Sequence, residues 1–420
     1  MNNNYLIKLI ISAAIVFFST SCEKESIEST QTEAALTEFN AVATKTVTVT
    51  DRNPETFAKS LVNAVKSAGW NGTVQLGEGT FTSNYIIILP KDVKTTIIGA
   101  GKTKTYIKLS KNPGPTAGFL ILNANETSVK NLTVDAQYNM QYGACAVNTN
   151  GFSDIFLEKV GFSNASIGTG TPDNGSGQNI AGLIIQNCSF WNCEHGINFN
   201  RQYSVNRIPW VKKPIIRWNW FGGKQDAAIS IDCGNDGTDG VISRRNLPGA
   251  KEATQTVTNM DGMLIAGNTI KKCKKYNIAI AKAWNIVIKN NTLHGNTGEI
   301  EYGECINLEH ETYGVTIENN RIYNDNLKNK NFSYISLLTF RDYGNKPLLE
   351  NGCRRIKIRN NTFRGDCNYG ITGEYAQEIT INNNDFSNPR PAVRGINFYV
   401  KSSKIWHWSN GIDNLASIVN

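Results

Sequence analysis

The stretch Ile286-Val-Ile-Lys-Asn-Asn291-Thr-Leu293 decides the reading of this chain, because it recurs. Copies follow at Val315-Thr-Ile-Glu-Asn-Asn320-Arg-Ile322, Ile356-Lys-Ile-Arg-Asn-Asn361-Thr-Phe363 and Ile379-Thr-Ile-Asn-Asn-Asn384-Asp-Phe386. Earlier ones are Met263-Leu-Ile-Ala-Gly-Asn268-Thr-Ile270, Ile215-Ile-Arg-Trp-Asn219-Trp-Phe221 and Leu183-Ile-Ile-Gln-Asn187-Cys-Ser-Phe190. Alternating apolar residues mark a short strand with one buried face. Asn after the strand suits a turn, because it tolerates the left-handed region and its side chain bonds the backbone. The copies carrying Asn268 and Asn291 are 23 residues apart. One coil of that length cannot bury its own apolar face, whereas a stack of coils can. Stacking also predicts a ladder in which each Asn amide satisfies the next.

A second strand follows each copy. These read Gly196-Ile-Asn-Phe-Asn-Arg201, Ala228-Ile-Ser-Ile-Asp-Cys233, Asn277-Ile-Ala-Ile-Ala-Lys282, Cys305-Ile-Asn-Leu-Glu-His310, Tyr334-Ile-Ser-Leu-Leu-Thr339, Gly370-Ile-Thr-Gly-Glu-Tyr375 and Gly395-Ile-Asn-Phe-Tyr-Val400. Ile197, Ile229, Ile278, Ile306, Ile335, Ile371 and Ile396 are expected to form one inward column. The pattern predicts an all-β protein, a single-stranded right-handed parallel β-helix, since parallel crossovers are right-handed. Pro54 to Ala68 carries Phe57, Leu61, Val62 and Val65 on one side and reads as a helix capping the open end.

The opening residues read as an address. Lys8, the apolar run Leu9 to Phe18 and Ser19-Thr20-Ser21-Cys22 have the order of a signal peptide, and the run is too short for a membrane span. Small residues before a cysteine resemble a bacterial lipobox, which implies lipidation of Cys22. Residues 1–22 are therefore expected to be a lipoprotein signal peptide, 23–45 a flexible tether and 46–420 the β-helix domain. The expected location is the outer membrane, reached through the lipid anchor, on its periplasmic side or at the cell surface.

Apolar residues make up 40 % of the chain, enough for a sizeable core, and the net charge is +8. A basic surface favours an anionic partner. No helix-turn-helix, zinc finger or basic-aromatic ribonucleoprotein pattern is present, so an anionic polysaccharide is the expected partner rather than nucleic acid, bound by a monomer. Nine cysteines include no CxxC pair and no zinc spacing. Cys193, Cys273 and Cys367 sit just before the second strand of their coils and read as small apolar core residues. His195, His294 and His407 read as structural or surface residues.

Between the isoleucines and their inward partners lie two outward columns. The first is Asn198, Ser230, Ala279, Asn307, Ser336, Thr372 and Asn397. The second is Asn200, Asp232, Ala281, Glu309, Leu338, Glu374 and Tyr399. Arg201, Lys282, His310, Arg341 and Lys401 stand at or just past the strand ends. Insertions at 202–214 and 234–262 follow strands of this set, and long loops clustered on one rim carry function. They contribute Trp210, Arg244 and Arg245. Trp218 and Trp220 are expected either to stack on sugar rings or to pack on the exterior.

Gly72-Thr-Val-Gln-Leu76, Gly79-Thr-Phe81 and Ile97-Ile-Gly-Ala-Gly101 resemble the first coils of pectate-lyase-like β-helix proteins. Lys282-Ala-Trp-Asn285-Ile-Val-Ile-Lys-Asn-Asn291-Thr-Leu293 with Ile306-Asn-Leu-Glu-His310 resembles polysaccharide lyase family six, the alginate and chondroitin lyases. The resemblance implies Lys282 and His310 as catalytic residues. Glu309 stands where that family has an arginine.

A uronate carries an acidic proton at C5. Its removal builds negative charge on the carboxylate, which a cation must neutralise, either Ca2+ or fixed Arg and Lys. Lys282 is the expected base and His310 its alternative or the acid, with Arg341 beside them. Arg201, Asn198, Asn307, Trp210, Arg244, Arg245, Glu374 and Lys401 are candidate substrate contacts. Asp232 and Asn200 are candidate Ca2+ ligands. Two other chemistries suit the same face. Asp232 and Glu309, two rungs or roughly 9.6 Å apart, fit an inverting glycoside hydrolase, and proton abstraction without cleavage gives a C5-epimerase. A non-catalytic surface glycan-binding solenoid is the remaining reading.

Overall fold

The seven isoleucines of the second-strand set are Cα partners along one unbroken series. Ile197 pairs with Ile229, Ile229 with Ile278, Ile278 with Ile306, Ile306 with Ile335, Ile335 with Ile371 and Ile371 with Ile396. All these pairings are parallel, and all but Ile396, at 4 % exposure, are fully buried. The structure is a computed structural model. It describes residues 45–140, 144–170, 180–200, 211–223, 225–232, 260–271, 273–281, 283–295, 303–309, 312–324, 332–338, 352–365, 369–388, 394–399 and 402–408. The chain divides into two units, Met1–Thr44 and Lys45–Asn420, and the described residues belong to the second. Cys22 and residues 23–44 of the tether lie outside them.

Three parallel sheets run the length of that unit. Sheet 1 has 13 strands, from Thr46–Val49 to Ser403–Trp408. Sheet 2 has 11, from Gly79–Ser83 to Asp385–Asn388. Sheet 3 also has 11 and carries the isoleucine series, ending on Arg394–Tyr399. Each coil contributes one strand to each sheet, as Val287–Lys289, Thr292–His294 and Gly303–Glu309 do in succession. Parallel strands one coil apart leave no local partner, so nearly every contact is long-range and the core is a continuous interior column. Phe162, Phe190 and Phe221 stack within it at 4.7 and 4.5 Å between ring centroids. The fold is the right-handed parallel β-helix that the repeats predict.

The amphipathic segment forms an α-helix over Phe57–Ala68, and Phe57, Leu61, Ala64 and Val65 are buried. It packs on Thr46–Val49 and Gly72–Leu76, with the Phe57 ring 5.4 Å from that of Phe81. It covers the apolar end of the first coils, as a terminal unit must.

The asparagine ladder runs between sheets 1 and 2. Asn219, Asn268, Asn291 and Asn320 each donate Nδ2 to the Oδ1 of the next coil's asparagine, at 3.1, 3.0, 2.9 and 2.9 Å. Asn361 does the same to Asn384 at 3.0 Å. Each Nδ2 also meets a backbone carbonyl one coil back, as Asn291 does with Ile265. Two details differ from the sequence reading. The left-handed residue is the one before the ladder position: Trp218, Gly267, Asn290, Asn319, Asn360 and Asn383 have φ between 54° and 64°. And Asn187, with φ 55°, is such a residue rather than a rung. Cys188 occupies the rung and donates its backbone N–H to Asn219 Oδ1 at 2.9 Å, so the ladder starts one coil later than the pattern suggests.

Cys193 and Cys273 are wholly buried in the core. Cys145, Cys188, Cys305 and Cys353 are buried too, and no disulfide joins the described cysteines. Burial pushes the thiols of Cys188 and Cys193 up to about 12, which makes them inert core groups. Cys233 and Cys367 lie outside the described residues. Among the described residues no helix is long and apolar enough to cross a membrane.

Candidate active site on the outer face of sheet 3

Both outward columns hold their expected register. Asn198 pairs with Ser230, Ser230 with Ala279, Ala279 with Asn307, Asn307 with Ser336, Ser336 with Thr372 and Thr372 with Asn397. Asn200 pairs with Asp232, Asp232 with Ala281, Ala281 with Glu309 and Glu309 with Leu338. Asp232 and Glu309 are therefore two rungs apart. The side chains of Asn200 and Asp232 are not described, nor are Lys282, His310, Arg341, Arg201, Trp210, Arg244, Arg245 and Lys401. The described part of the expected site is Asn198, Asn307, Glu309 and Glu374.

Much of the first column is covered. Asn198, Asn307, Ser336 and Thr372 are 9, 1, 1 and 4 % exposed. Longer neighbours close over Asn307: its Nδ2 donates to Glu309 Oε1 at 2.6 Å, and its side chain also bonds the Tyr276 hydroxyl. Asn307 Oδ1 is buried with no hydrogen-bond partner, and so is Asn198 Oδ1. Thr372 donates its hydroxyl to Ser336 Oγ at 3.4 Å, and Ser336 bonds Glu304 in turn.

Tyr276 and Glu304 belong to the candidate site and were missed by the sequence reading. Strict alternation from Ile306 places Glu304 in the core with Leu308. The strand instead turns a corner: Cys305 and Ile306 are both fully buried, as are Ala228 with Ile229 and Tyr334 with Ile335. Two successive inward residues reverse the parity, so Glu304 and its Cα partner Tyr276 emerge on the outer face beside Asn307, Glu309 and Ser336. Repeated apolar pairs at the start of each second strand were the available signal.

The cluster is electrostatically tight. Burial, then the Glu309 carboxylate, raise Glu304 to about 7, against the opposing pull of Lys275 and the Ser336 hydroxyl. Burial and the same two glutamates hold the Tyr276 phenol well above its usual range, so it stays a neutral proton donor. Lys275 lies over the Tyr276 ring at 4.8 Å. Because the folded value of Glu304 exceeds the unfolded one of 4.5, the fold binds an extra proton between them. Stability from this group is present at low pH and lost as pH rises from about 4.5 to about 7. The loss is roughly 3 kcal/mol. Denaturant titrations across that window are expected to show the decline in the chelator-treated wild type and its absence in Glu304→Gln.

The tryptophans sit elsewhere. Trp218 is 53 % exposed at the turn between sheets 1 and 2, with the Arg217 guanidinium 4.2 Å from its ring. Trp220 lies on sheet 2 and stacks on Trp191 at 5.6 Å, which requires Gly222, because a Cβ there would strike the indole. Neither flanks the sheet 3 face; both lie on the exterior away from it. His294 stacks on Tyr323 at 5.0 Å, as a structural residue does. Among the described residues no group of three or more His, Cys, Asp or Glu side chains is gathered around a point a metal could occupy.

A family model described as a right handed beta helix region matches residues 235–412. No curated protein matches the sequence. The chain is similar to the A-module of mannuronan C-5 epimerase AlgE6 from Azotobacter vinelandii, at 14 % identity and a TM-score of 0.46, covering 84 % of this chain and 95 % of that one. It is similar to an alginate lyase from Paenibacillus sp. str. FPU-7, at 14 % identity and a TM-score of 0.46, covering 87 % and 100 %. It is also similar to the catalytic domain of a GH87 alpha-1,3-glucanase, at 13 % identity and a TM-score of 0.42, covering 88 % and 66 %.

Proposed function

We propose that this protein is an exported carbohydrate-active enzyme that cleaves an anionic, uronate-containing polysaccharide by β-elimination on the outer face of sheet 3. The observation that carries the reading is the in-register outer face. Ala281 and Glu309 are Cα partners, which makes Lys282 and His310 successors of paired positions on adjacent coils. Beside the Ala281–Glu309 pair lies a polar cluster with an unsatisfied carbonyl oxygen on Asn307. A solvated structural face has no use for a buried, orphaned acceptor beside two half-buried carboxylates, an arrangement that costs stability.

In the proposed reaction Lys282 takes the C5 proton. The C5–H electron pair becomes the C4–C5 double bond, the C4–O bond breaks, and His310 protonates the departing oxygen. Arg201 and Arg341 are the proposed counter-charges to the uronate carboxylate; Ca2+ at Asp232 and Asn200 would supply the same neutralisation. Arg244, Arg245, Trp210, Glu374 and Lys401 are proposed substrate contacts at the rims. The test is incubation with a panel of acidic polysaccharides, with and without a chelator, followed by mass spectrometry. Elimination yields unsaturated ends that absorb in the ultraviolet.

One observation favours a second reading. Glu304 and Glu309 are two interacting carboxylates on one face, the equipment of a glycoside hydrolase. That reading replaces the first if the products carry saturated ends.

We also propose attachment to the outer membrane through a lipid on Cys22. Fractionation should find the wild-type protein with membranes, and Cys22→Ala should move it to the soluble fraction. An unchanged distribution would reject the anchor.

A further inference from the structure

We infer that Trp191, Trp218 and Trp220 form a second carbohydrate-binding surface, at the corner between sheets 1 and 2, which holds an acidic polysaccharide chain without cleaving it. The inference rests on the proposed function for the purpose of such a surface, and it shares no residue with the sheet 3 face.

Trp218 is the first observation. It stands at the left-handed turn position, with φ 57°. Asn or Gly holds that position in the later coils, as at Gly267, Asn290, Asn319, Asn360 and Asn383. Those residues reach the left-handed region cheaply, and a bulky aromatic does not. Its indole is 53 % exposed, so core burial does not offset the strain. An outlier of this kind on the surface points to function. The Arg217 guanidinium lies 4.2 Å from the ring, and Gln186 Oε1 accepts from Arg217 Nε and Nη2 at 2.9 and 2.8 Å. One face of the indole is thus backed by a fixed cation.

The second observation is the room made for the indoles. A Cβ at Gly267 would strike the Trp218 ring, and a Cβ at Gly222 would strike the Trp220 ring. Gly267 also serves its turn, but Gly222 is not left-handed, which leaves the overlying indole as the reason for it. Trp220 stacks in turn on Trp191, whose side chain is half exposed. Three indoles from two successive coils therefore make an apolar surface that faces outward, and exposed patches of this kind mark binding.

A flat apolar face with a polar N–H at its rim suits a sugar ring, which presents C–H groups on its faces and hydroxyls at its edge. The charges select the acidic class. Lys271 is exposed and directly follows Ile270, the Cα partner of Phe221, which places it one rung beyond Gly222 and its overlying indole. The acids of the neighbouring rungs are already engaged: Glu158 by Gln186 Nε2 at 2.8 Å, and Asp135 by Gln137, Asn164 and Lys108.

The test is native electrophoresis through gels containing alginate, polygalacturonate or chondroitin sulfate, with neutral dextran as the comparison. The full-length chains carry Lys282→Ala, which spares the polymer during the run. That chain should be retarded by at least one acidic polymer and not by dextran. Adding Trp191→Ala and Trp218→Asn should weaken the retardation at least tenfold, because two sites on one chain hold a polymer more tightly than one. Adding Trp406→Ala instead, which removes another exposed indole, should leave it unchanged. Asn is the usual residue at this turn, so Trp218→Asn alone should melt no lower than wild type. If the Trp191 change prevents folding, Trp218→Asn alone carries the comparison. Retardation undiminished by the tryptophan changes, equal in dextran, or absent in every acidic polymer would overturn the surface. Trp218→Asn melting several degrees low would overturn it too, by giving the indole a structural role. Retardation that depends on the tryptophans, with no unsaturated product from wild type, would count against the elimination reaction alone. Unsaturated products together with retardation that ignores the tryptophans would count against this surface alone.

Discussion

Asn291→Leu should destabilise the domain by about 4–6 kcal/mol, the sum of several buried polar groups left unpaired at roughly 1–3 kcal/mol each. Asn291 sits mid-ladder and is 1 % exposed. Its Oδ1 accepts from both the backbone N–H and the Nδ2 of Asn268, at 2.9 and 3.0 Å. Its Nδ2 donates to Ile265 O and Asn320 Oδ1, at 3.0 and 2.9 Å. Leucine keeps the branched outline but is larger, and it leaves the Asn268 backbone N–H, one hydrogen of Asn268 Nδ2 and the Ile265 carbonyl without the partner that Asn291 supplies. Asn219 opens the ladder: its Oδ1 accepts from the backbone N–H of Cys188 at 2.9 Å, and a cysteine on that rung has no amide to donate a second bond. Asn219→Leu should therefore cost less. Chemical denaturation of the two variants checks both the size and the order, and equal losses would show that the rungs act singly rather than as a ladder. Because coils are stabilised by their neighbours, the Asn291 variant should also broaden the unfolding transition.

The second large effect is on activity. Lys282→Ala should lower the rate of unsaturated-product formation by about 10³-fold, within the range that a positioned base supplies. Folding should be unaffected, since the substitution leaves the flanking core residues Ile280 and Ala283 in place, at 1 and 0 % exposure. His310→Ala should lower the rate too, and the double variant should be little worse than Lys282→Ala, because residues acting as one unit are non-additive. Turnover by Lys282→Ala at the wild-type rate would remove it as the base.

The fold was legible because a solenoid writes its architecture as a period. The isoleucine series and the two outward columns read from the sequence coincide with the strand register, rung for rung. Alternation within a strand is a local rule, and it holds wherever the strand is straight. It failed at the corner that opens each sheet 3 strand, and there it hid Tyr276 and Glu304, the two residues that give the described site its electrostatic character. Asn187 was misplaced for a similar reason. The turn uses two consecutive residues, one left-handed and one on the ladder, and Asn satisfies both roles, so Asn187-Cys188 reads as a rung until the neighbouring Trp218-Asn219 fixes the alignment. Burial of Asn307 and Ser336 was illegible because it depends on side chains from three coils meeting over one column. Cys193 and Cys273 were legible as core, because repeated placement before an inward strand leaves nowhere else for them to point.

The most direct measurement is a crystal structure of Lys282→Ala soaked with an acidic oligosaccharide that the wild type cleaves. The sugar should lie across the outer face of sheet 3, over the strands Cys273–Ala281 and Gly303–Glu309, with a uronate carboxylate near residue 282 and an oxygen close to Asn307. An oligosaccharide bound instead on the Trp191–Trp220 pair of sheet 2, with sheet 3 bare, would contradict the assignment of the active face.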